Sequence, residues 1–394
     1  MFQAAAESSK RLFQVIGDHI SASSDQRIPF TSYMDLVLYH PTHGYYTTKS
    51  SILGPNGDFI TSPHLGHDFG ELLAVQFVEM WHALDQPQPF YIVEMGAGQG
   101  LIAADVLAYL QQHQPDCYAA LNYIIIEKSP ALRARQQEYL THPNVTWTTL
   151  AELSPITGCF FSNELLDAFP VHIVEKHNNQ LQEIYVTIDN NILKEVLGPL
   201  STEKLGQYFE QIGIDLLSDV YSDGYRTEVN LAALDWLDAV ASAVERGFIL
   251  TIDYGHTAQR YYSPARYQGT LKCYYQQRHH DDPYVNIGQQ DLTAHVDFTT
   301  LETHGKKLGL ANLGFTQQGL FLMALGLGDR IATLTQSIPP GPDSFNQLIQ
   351  RRQALHQLMD MTPMGLGNFG VLVQAKGLSK NISLKGLTVP PLTM

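Results

Sequence analysis

The stretch YIVEMGAGQG, Tyr91 to Gly100, runs a buried strand straight into glycines spaced one residue apart. Tyr91, Ile92 and Val93 read as the end of a parallel strand, and Glu94 as the point where its carboxyl end meets solvent. Gly96, Gly98 and Gly100 follow, then a helical pattern from Leu101 to Leu110. A strand, a glycine loop and a helix in that order bring backbone close to a ligand and aim a helix N-terminus at it.

The rhythm continues outward. NYIIIEKS is a second buried strand and PALRARQQEYL a helix with Pro130 near its first turn. VTWTTL is a third strand, and GCFFSNELLDAFP a fourth that enters a short helix. After Pro170 the pattern breaks. VHIVEKHNNQLQEIYVTIDNNIL reads as hairpin strands turning at Asn178 and Asn179, an insertion rather than another βα unit. NLAALDWLDAVASAVERG restores a helix, capped by Asn230 and stopped by Gly247, which leads into the strand FILTIDYG. A tyrosine- and histidine-rich loop from His256 to about Asp291 precedes a helix near Phe298 to Leu308 and closing strands near FTQQGLF and FGVLVQAKG.

Ahead of this core, residues 1–88 give no strong parallel-strand signal. They hold a short helix, the aromatic loop YHPTHGYYTT, the turn-rich GPNGDFITSPHLG, and a helix from Asp68 to Leu84 with Phe69, Leu73, Phe77, Met80 and Leu84 at helical spacing. The chain is predicted to be α/β, a doubly wound, mostly parallel sheet with ligands at the carboxyl ends of its strands. Its expected units are an N-terminal cap or lid (1–88), a core (89–170 and 228–394) and an inserted hairpin and helical subdomain (171–227).

Two ligand classes compete for the glycine loop. A dinucleotide fingerprint, G-x-G-x-x-G, needs a third glycine where Leu101 stands. The pattern present is E-x-G-x-G-x-G, which suits S-adenosylmethionine, a ligand with no pyrophosphate to cradle. Glu94 complements its sulfonium and ammonium charges. One βα unit later, Glu127 in IIIEKS stands where an acid accepts both ribose hydroxyls of an adenosine. The competing reading is a glycine turn that serves only the connection.

SNELLDAFP brings Asn163, Glu164 and Asp167 to the same edge. Methyl transfer is an in-line displacement, so the protein mainly aligns a nucleophile, and paired carboxylates would hold a guanidinium bidentately. Glu164 and Asp167 suit that role; they also suit a helix N-terminus complemented by acids. Asp253 and Tyr254 end the fifth strand. His295 and Asp297 either relay a proton or fix a turn. Asp58 either closes over the cofactor or forms an Asx-turn. RHHDD, Arg278 to Asp282, is read as a solvated loop rather than a metal site, so no metal is expected. The tyrosine-rich run is read as a packed loop or a peptide-docking surface, and Trp81, Trp147 and Trp236 as core.

The formal charge of −15 repels phosphate backbones and attracts cations, which sets nucleic acid aside as a partner. No apolar run approaches the ~18 residues of a membrane span. Cys117, Cys159 and Cys273 form no CxxC pair and suit a reducing compartment. The N-terminus reads as an ordinary first helix of a cytoplasmic protein.

Six ordered motifs, YMDLVLYHPTHGYYT, GDFITSP, VEMGAGQG, SNELLDAFPVH, ERGFILTIDYG and GTLKCYY followed by DLTAHVDF, resemble the MidA family of class I methyltransferases. The similarity spans nearly the whole chain from Pro29. It implies a class I, Rossmann-like methyltransferase fold with a helical cap and an inserted subdomain. It implies S-adenosylmethionine as donor, S-adenosylhomocysteine as product, and for the mitochondrial branch arginine methylation of a complex I core subunit. By matched motif, Gly96, Gly98, Gly100 and Glu127 carry the cofactor, while Asn163, Glu164 and Asp167 face the reaction. A complex I-like core subunit is thus the expected partner, in a bacterial cytoplasm or, for a eukaryotic chain, the mitochondrial matrix. A homodimer is left open. Methylation of a small molecule, and a cofactor-binding assembly chaperone without turnover, are the competing functions.

Overall fold

The strands read above, buried almost continuously at the centre, form a seven-stranded sheet. The computed structural model describes residues 2–48, 61–336, 342–363, 365–378 and 382–388. The strands are β1 (Phe90–Met95), β2 (Leu121–Ile126), β3 (Val145–Trp147), β4 (Ile156–Asn163), β5 (Val244–Asp253), β6 (Ala311–Gln317) and β7 (Gly370–Lys376). Their order is β3-β2-β1-β4-β5-β7-β6. β1 to β5 pair in parallel, and β7 is antiparallel to both neighbours.

Alternate residues sort to opposite faces, as strand geometry requires. Ile92, Ile125, Phe161, Leu250 and Val373 join one apolar cluster with the helices Asp68–Ala83 and Leu101–His113. Val93, Ile124, Phe160, Ile249 and Leu372 join the other, against Leu231–Ala243 and Phe298–Lys307. Covering both faces is what a parallel sheet demands. Among the described residues, no helix is long and apolar enough to cross a membrane.

A second, five-stranded antiparallel sheet forms from the inserted region and the N-terminal segment. Gln180–Asp189 lies between His172–His177 and Ile28–Pro29, with Arg226–Val229 beyond His172–His177 and Ile192–Gly198 also on Gln180–Asp189. Both of its tight turns use paired asparagines at positive φ, Asn178 and Asn179 (50° and 60°) and Asn190 and Asn191 (52° and 60°). Two successive left-handed residues define the hairpin turn that matches strand twist. Leu12, Ile16, Phe30 and Met34 share one cluster with Val171, Ile173, Ile184 and Val186. The N-terminal helices and the insertion therefore fold around a common core.

Four local expectations are corrected. SNELLDAFP does not enter a helix after Asn163 but a turn, because a buried carboxylate captures its N–H groups. Gly247 does not stop the preceding helix, which ends at Ala243; it sits inside β5 opposite Gly158, where a Cβ would lie 1.9 Å from the Gly158 carbonyl oxygen. FTQQGLF is only half strand: β6 ends at Gln317 and Gln318–Leu325 is helical. The buried Gln318 amide there donates to Ser62 and to the Leu366 carbonyl, both at 3.0 Å. The tyrosine-rich loop contains a three-stranded sheet of Lys272–Tyr275, Arg278–His280 and Asp291–Thr293, so part of RHHDD is strand.

Candidate active site

The strand order reverses between β1 and β4, and at their carboxyl ends a cavity of about 990 Å³ opens beside the glycine loop. Gly96, Gly98 and Gly100 all have positive φ, 72°, 55° and 79°. A Cβ on Gly96 would lie 2.8 Å from Leu165 Cδ1, so the residue type is set by close approach as well as by backbone. A side pocket of about 70 Å³ is lined by Glu94, Gly96, Asn163, Glu164 and His64.

Glu94 is buried and accepts a 2.7 Å hydrogen bond from Tyr123; burial pushes its carboxyl up to about 7. Glu127 lines the cavity. Burial raises its carboxyl too, opposed by hydrogen bonds from the Ser129 N–H (2.9 Å) and Gln136 Nε2 (3.1 Å). Gln136 also donates to the Gly98 carbonyl (2.8 Å) and accepts from Trp147 Nε1 (3.0 Å). It ties the glycine loop to the acid of the next strand. Sequence reading missed this residue, and took Trp147 for core rather than for its anchor.

The turn after β4 is held from four directions. Asp253 Oδ2 accepts from the N–H groups of Leu165 (3.1 Å), Leu166 (2.8 Å) and Asp167 (3.4 Å). Asn230 Nδ2 donates to the Leu166 carbonyl (3.0 Å), the Ala294 N–H to the Asp167 carbonyl (2.9 Å), and the Tyr39 hydroxyl to the Ala168 carbonyl (2.8 Å). Glu164 takes a left-handed φ of 51°. Its carboxyl lines both pockets, accepts from Asn163 Nδ2 (3.1 Å), and is pushed up to about 8 by burial and then by Asp253.

Asp167 is 7% exposed, and its Oδ1 has no hydrogen-bond partner among the described residues. Burial, then Asp253, Glu164 and Asp291, raise its carboxyl far above the ordinary range. Asn163 Oδ1, in the side pocket, is likewise buried without a partner. Two buried polar atoms without a partner among the described residues thus lie in the walls of the cavity and its side pocket.

Other expected site residues are placed differently. Asp253, pushed up to about 7 by burial, points beneath the turn rather than into the cavity; both its oxygens are taken by backbone N–H groups, including that of Tyr254 (2.8 Å). Asp297 is the N-cap of Phe298–Lys307 and accepts from Thr299, Thr300 and Tyr208. His295 lines the cavity with Nδ1 unpartnered among the described residues. Burial lowers it to about 4, so it is neutral. The His295 and Asp297 pair is not assembled as a relay, because Asp297 is committed to the helix end. Asp58 lies outside the described residues. Unforeseen cavity residues are Tyr39, Tyr46 and Asp291, the last two joined by hydrogen bonds.

A doubly wound sheet with β7 reversed between β5 and β6, a left-handed glycine loop after β1 and a carboxylate after β2 define a class I methyltransferase. Its cofactor is S-adenosylmethionine. The unpartnered polar atoms and the Gly96 approach fit that ligand: Glu127 would hold the ribose, the glycine loop would admit the methionine and ribose portions, and Asn163 with Glu94 would face the ammonium end. The chain belongs to the Methyltransf_28 family of S-adenosyl-L-methionine-dependent methyltransferases, which it matches over residues 72–316.

It is 28% identical to the mitochondrial protein arginine methyltransferase NDUFAF7 of Homo sapiens over 372 residues, 86% of this chain and 78% of the human protein. The Drosophila melanogaster homolog is 28% identical over 330 residues, 76% of this chain and 71% of the fly protein. A crystal structure of a superfamily relative from Burkholderia thailandensis, bound to S-adenosyl-homocysteine, superposes with a TM-score of 0.83 at 30% identity. It covers 97% of this chain and 96% of that one.

Proposed function

We propose that the methyl acceptor is a guanidinium nitrogen of an arginine on a protein substrate, and that the substrate is a core subunit of a complex I-like dehydrogenase. The observation that carries the arginine reading is the unpartnered, buried Oδ1 of Asp167, in a cavity it shares with Glu164 and Asp291. Asp167 and Glu164 form no ion pair among the described residues, Glu164 raises the proton affinity of Asp167, and a cationic substrate relieves that cost. The lysines along the wall are otherwise engaged: Lys272 Nζ is 2.5 Å from Asp281, and Lys128 lies 4.3 Å from the Tyr39 ring centre. The names of the NDUFAF7 relatives point the same way, and the complex I partner follows from the family resemblance.

When bound, the cofactor supplies an electrophilic methyl group on a sulfonium. Glu164 and Asp167 orient the acceptor nitrogen and offset its charge, which supplies the alignment an in-line transfer needs. As the N–C bond forms and the S–C bond breaks, one N–H proton must leave; Glu164 and Asp167, whose proton affinities burial raises, are the groups placed to receive it. The N-terminal cap and the insertion, sharing one core, act together as the substrate-facing wall. Incubation of the pure chain with labelled cofactor and a lysate lacking its gene, followed by mass spectrometry, tests this. Label on arginine is expected, and label confined to other residue types or to small molecules would refute it.

A further inference from the structure

The aromatic motif YHPTHGYYT delivers Tyr46 to the cavity wall. Tyr46 Oη is 2.9 Å from Asp291 Oδ1 and 2.8 Å from Oδ2. Its one proton is therefore committed to the carboxylate, and the phenol can only accept from anything bound in the cavity. Burial, then Asp291, push the phenol well above its ordinary value, so it keeps that proton.

The acceptor is rigidly placed. Asp291 is 2% exposed and takes a 2.9 Å bond from the Leu292 N–H. The Tyr46 ring stacks on Tyr39 with centroids 5.5 Å apart and planes 19° from parallel. Tyr39 in turn donates to Ala168, the neighbour of Asp167. Asp167, Tyr46 and Asp291 line the same cavity, and Asp291 is among the acids that raise the Asp167 carboxyl.

We infer that Tyr46, held as an obligate acceptor by Asp291, is a second protein ligand of the methyl-accepting group beside Asp167, the two receiving separate N–H groups of one planar cation. This rests on the guanidinium reading above. A guanidinium presents donors in a fixed fork that two separately fixed acceptors can match.

The test uses full-length protein loaded with S-adenosylhomocysteine, titrated with Nα-acetyl-arginine methylamide and with its norleucine counterpart, binding being followed by ligand-observed NMR. The unmodified chain should prefer the arginine probe at least ~10-fold, as loss of one hydrogen bond to a charged group predicts. Tyr46→Phe removes the acceptor. Asp291→Leu removes the acceptor of the phenolic proton and frees that proton to point toward the cavity. Each should weaken the arginine probe by ~10-fold or more while S-adenosylhomocysteine affinity stays within about twofold. Undiminished arginine-probe binding in either variant overturns this inference and leaves the guanidinium reading standing. Loss of S-adenosylhomocysteine affinity in both variants also overturns it, by making Tyr46 a packing or cofactor residue. No preference for arginine in the unmodified chain removes both.

Discussion

At the level of single side chains, the candidate site gathers carboxyl groups in distinct settings. Glu127 is braced by Gln136 and Ser129 and faces the cavity. Glu127→Ala should weaken cofactor binding by roughly 10- to 100-fold, the equivalent of one or two charge-assisted hydrogen bonds, as calorimetry with S-adenosylhomocysteine would read. Glu164→Gln keeps the shape and removes the charge, so the opposite split is expected. Turnover should fall at least ~10-fold while product affinity moves by less than about threefold. Equal loss of binding and turnover in both variants would mean that the two acids do not divide the work.

The turn after β4 and the packing of β4 on β5 belong to the scale of elements. Asp253→Asn puts a donor where two backbone sets need acceptors. It should lower turnover about 10-fold or more with little change in cofactor affinity, because Asp167 loses its aim rather than the glycine loop its shape. Steady-state kinetics beside calorimetry would check it. Gly247→Ala places a Cβ against the Gly158 carbonyl at 1.9 Å and should cost about 4 kcal/mol or more, seen as loss of soluble folded protein or a large fall in denaturation midpoint.

Much of this scale was legible in the chain. The strand at Tyr91, the glycine loop, Glu127 and the paired-asparagine hairpin are local patterns whose physics acts within a few residues. The turn at Glu164 was not, because the carboxylate that captures its N–H groups comes from Asp253, a whole insertion later in sequence. Gly247 looked like a helix stop because its steric partner, Gly158, is equally remote. Tyr46 and Asp291 form a pair 245 residues apart, beyond any periodicity.

For the whole molecule, the buried acids set a pH response. Folded Glu94 and Glu164 hold protons up to about 7 and about 8, against an ordinary value of 4.5. Between those values the folded chain binds more protons than the unfolded one, so stability falls as pH rises. Asp253, pushed up to about 7, acts in the same sense. His256 and His295, lowered to about 3 and about 4, act oppositely but only up to their ordinary 6.5. From pH 6.5 to 8 only the acids among these groups titrate. The stability of the cofactor-free protein should fall across that window by up to about 1.4 kcal/mol per pH unit for each group, its unfolding temperature falling with it, and Glu164→Gln should lose part of the slope. Calorimetric scans at both ends of the window decide it; a flat or rising trend contradicts the assignment.

Among the described residues, β6 pairs with the sheet only through β7, which follows it in the chain and enters between it and β5. During vectorial synthesis, a nascent polypeptide released as far as Gln336 would hold every parallel strand of the nucleotide half and the whole candidate cofactor edge, yet β6 would have nowhere to dock. A ribosome stalled there should therefore display a binding-competent half beside an unanchored strand. The last piece to emerge would lock the sheet rather than build the pocket.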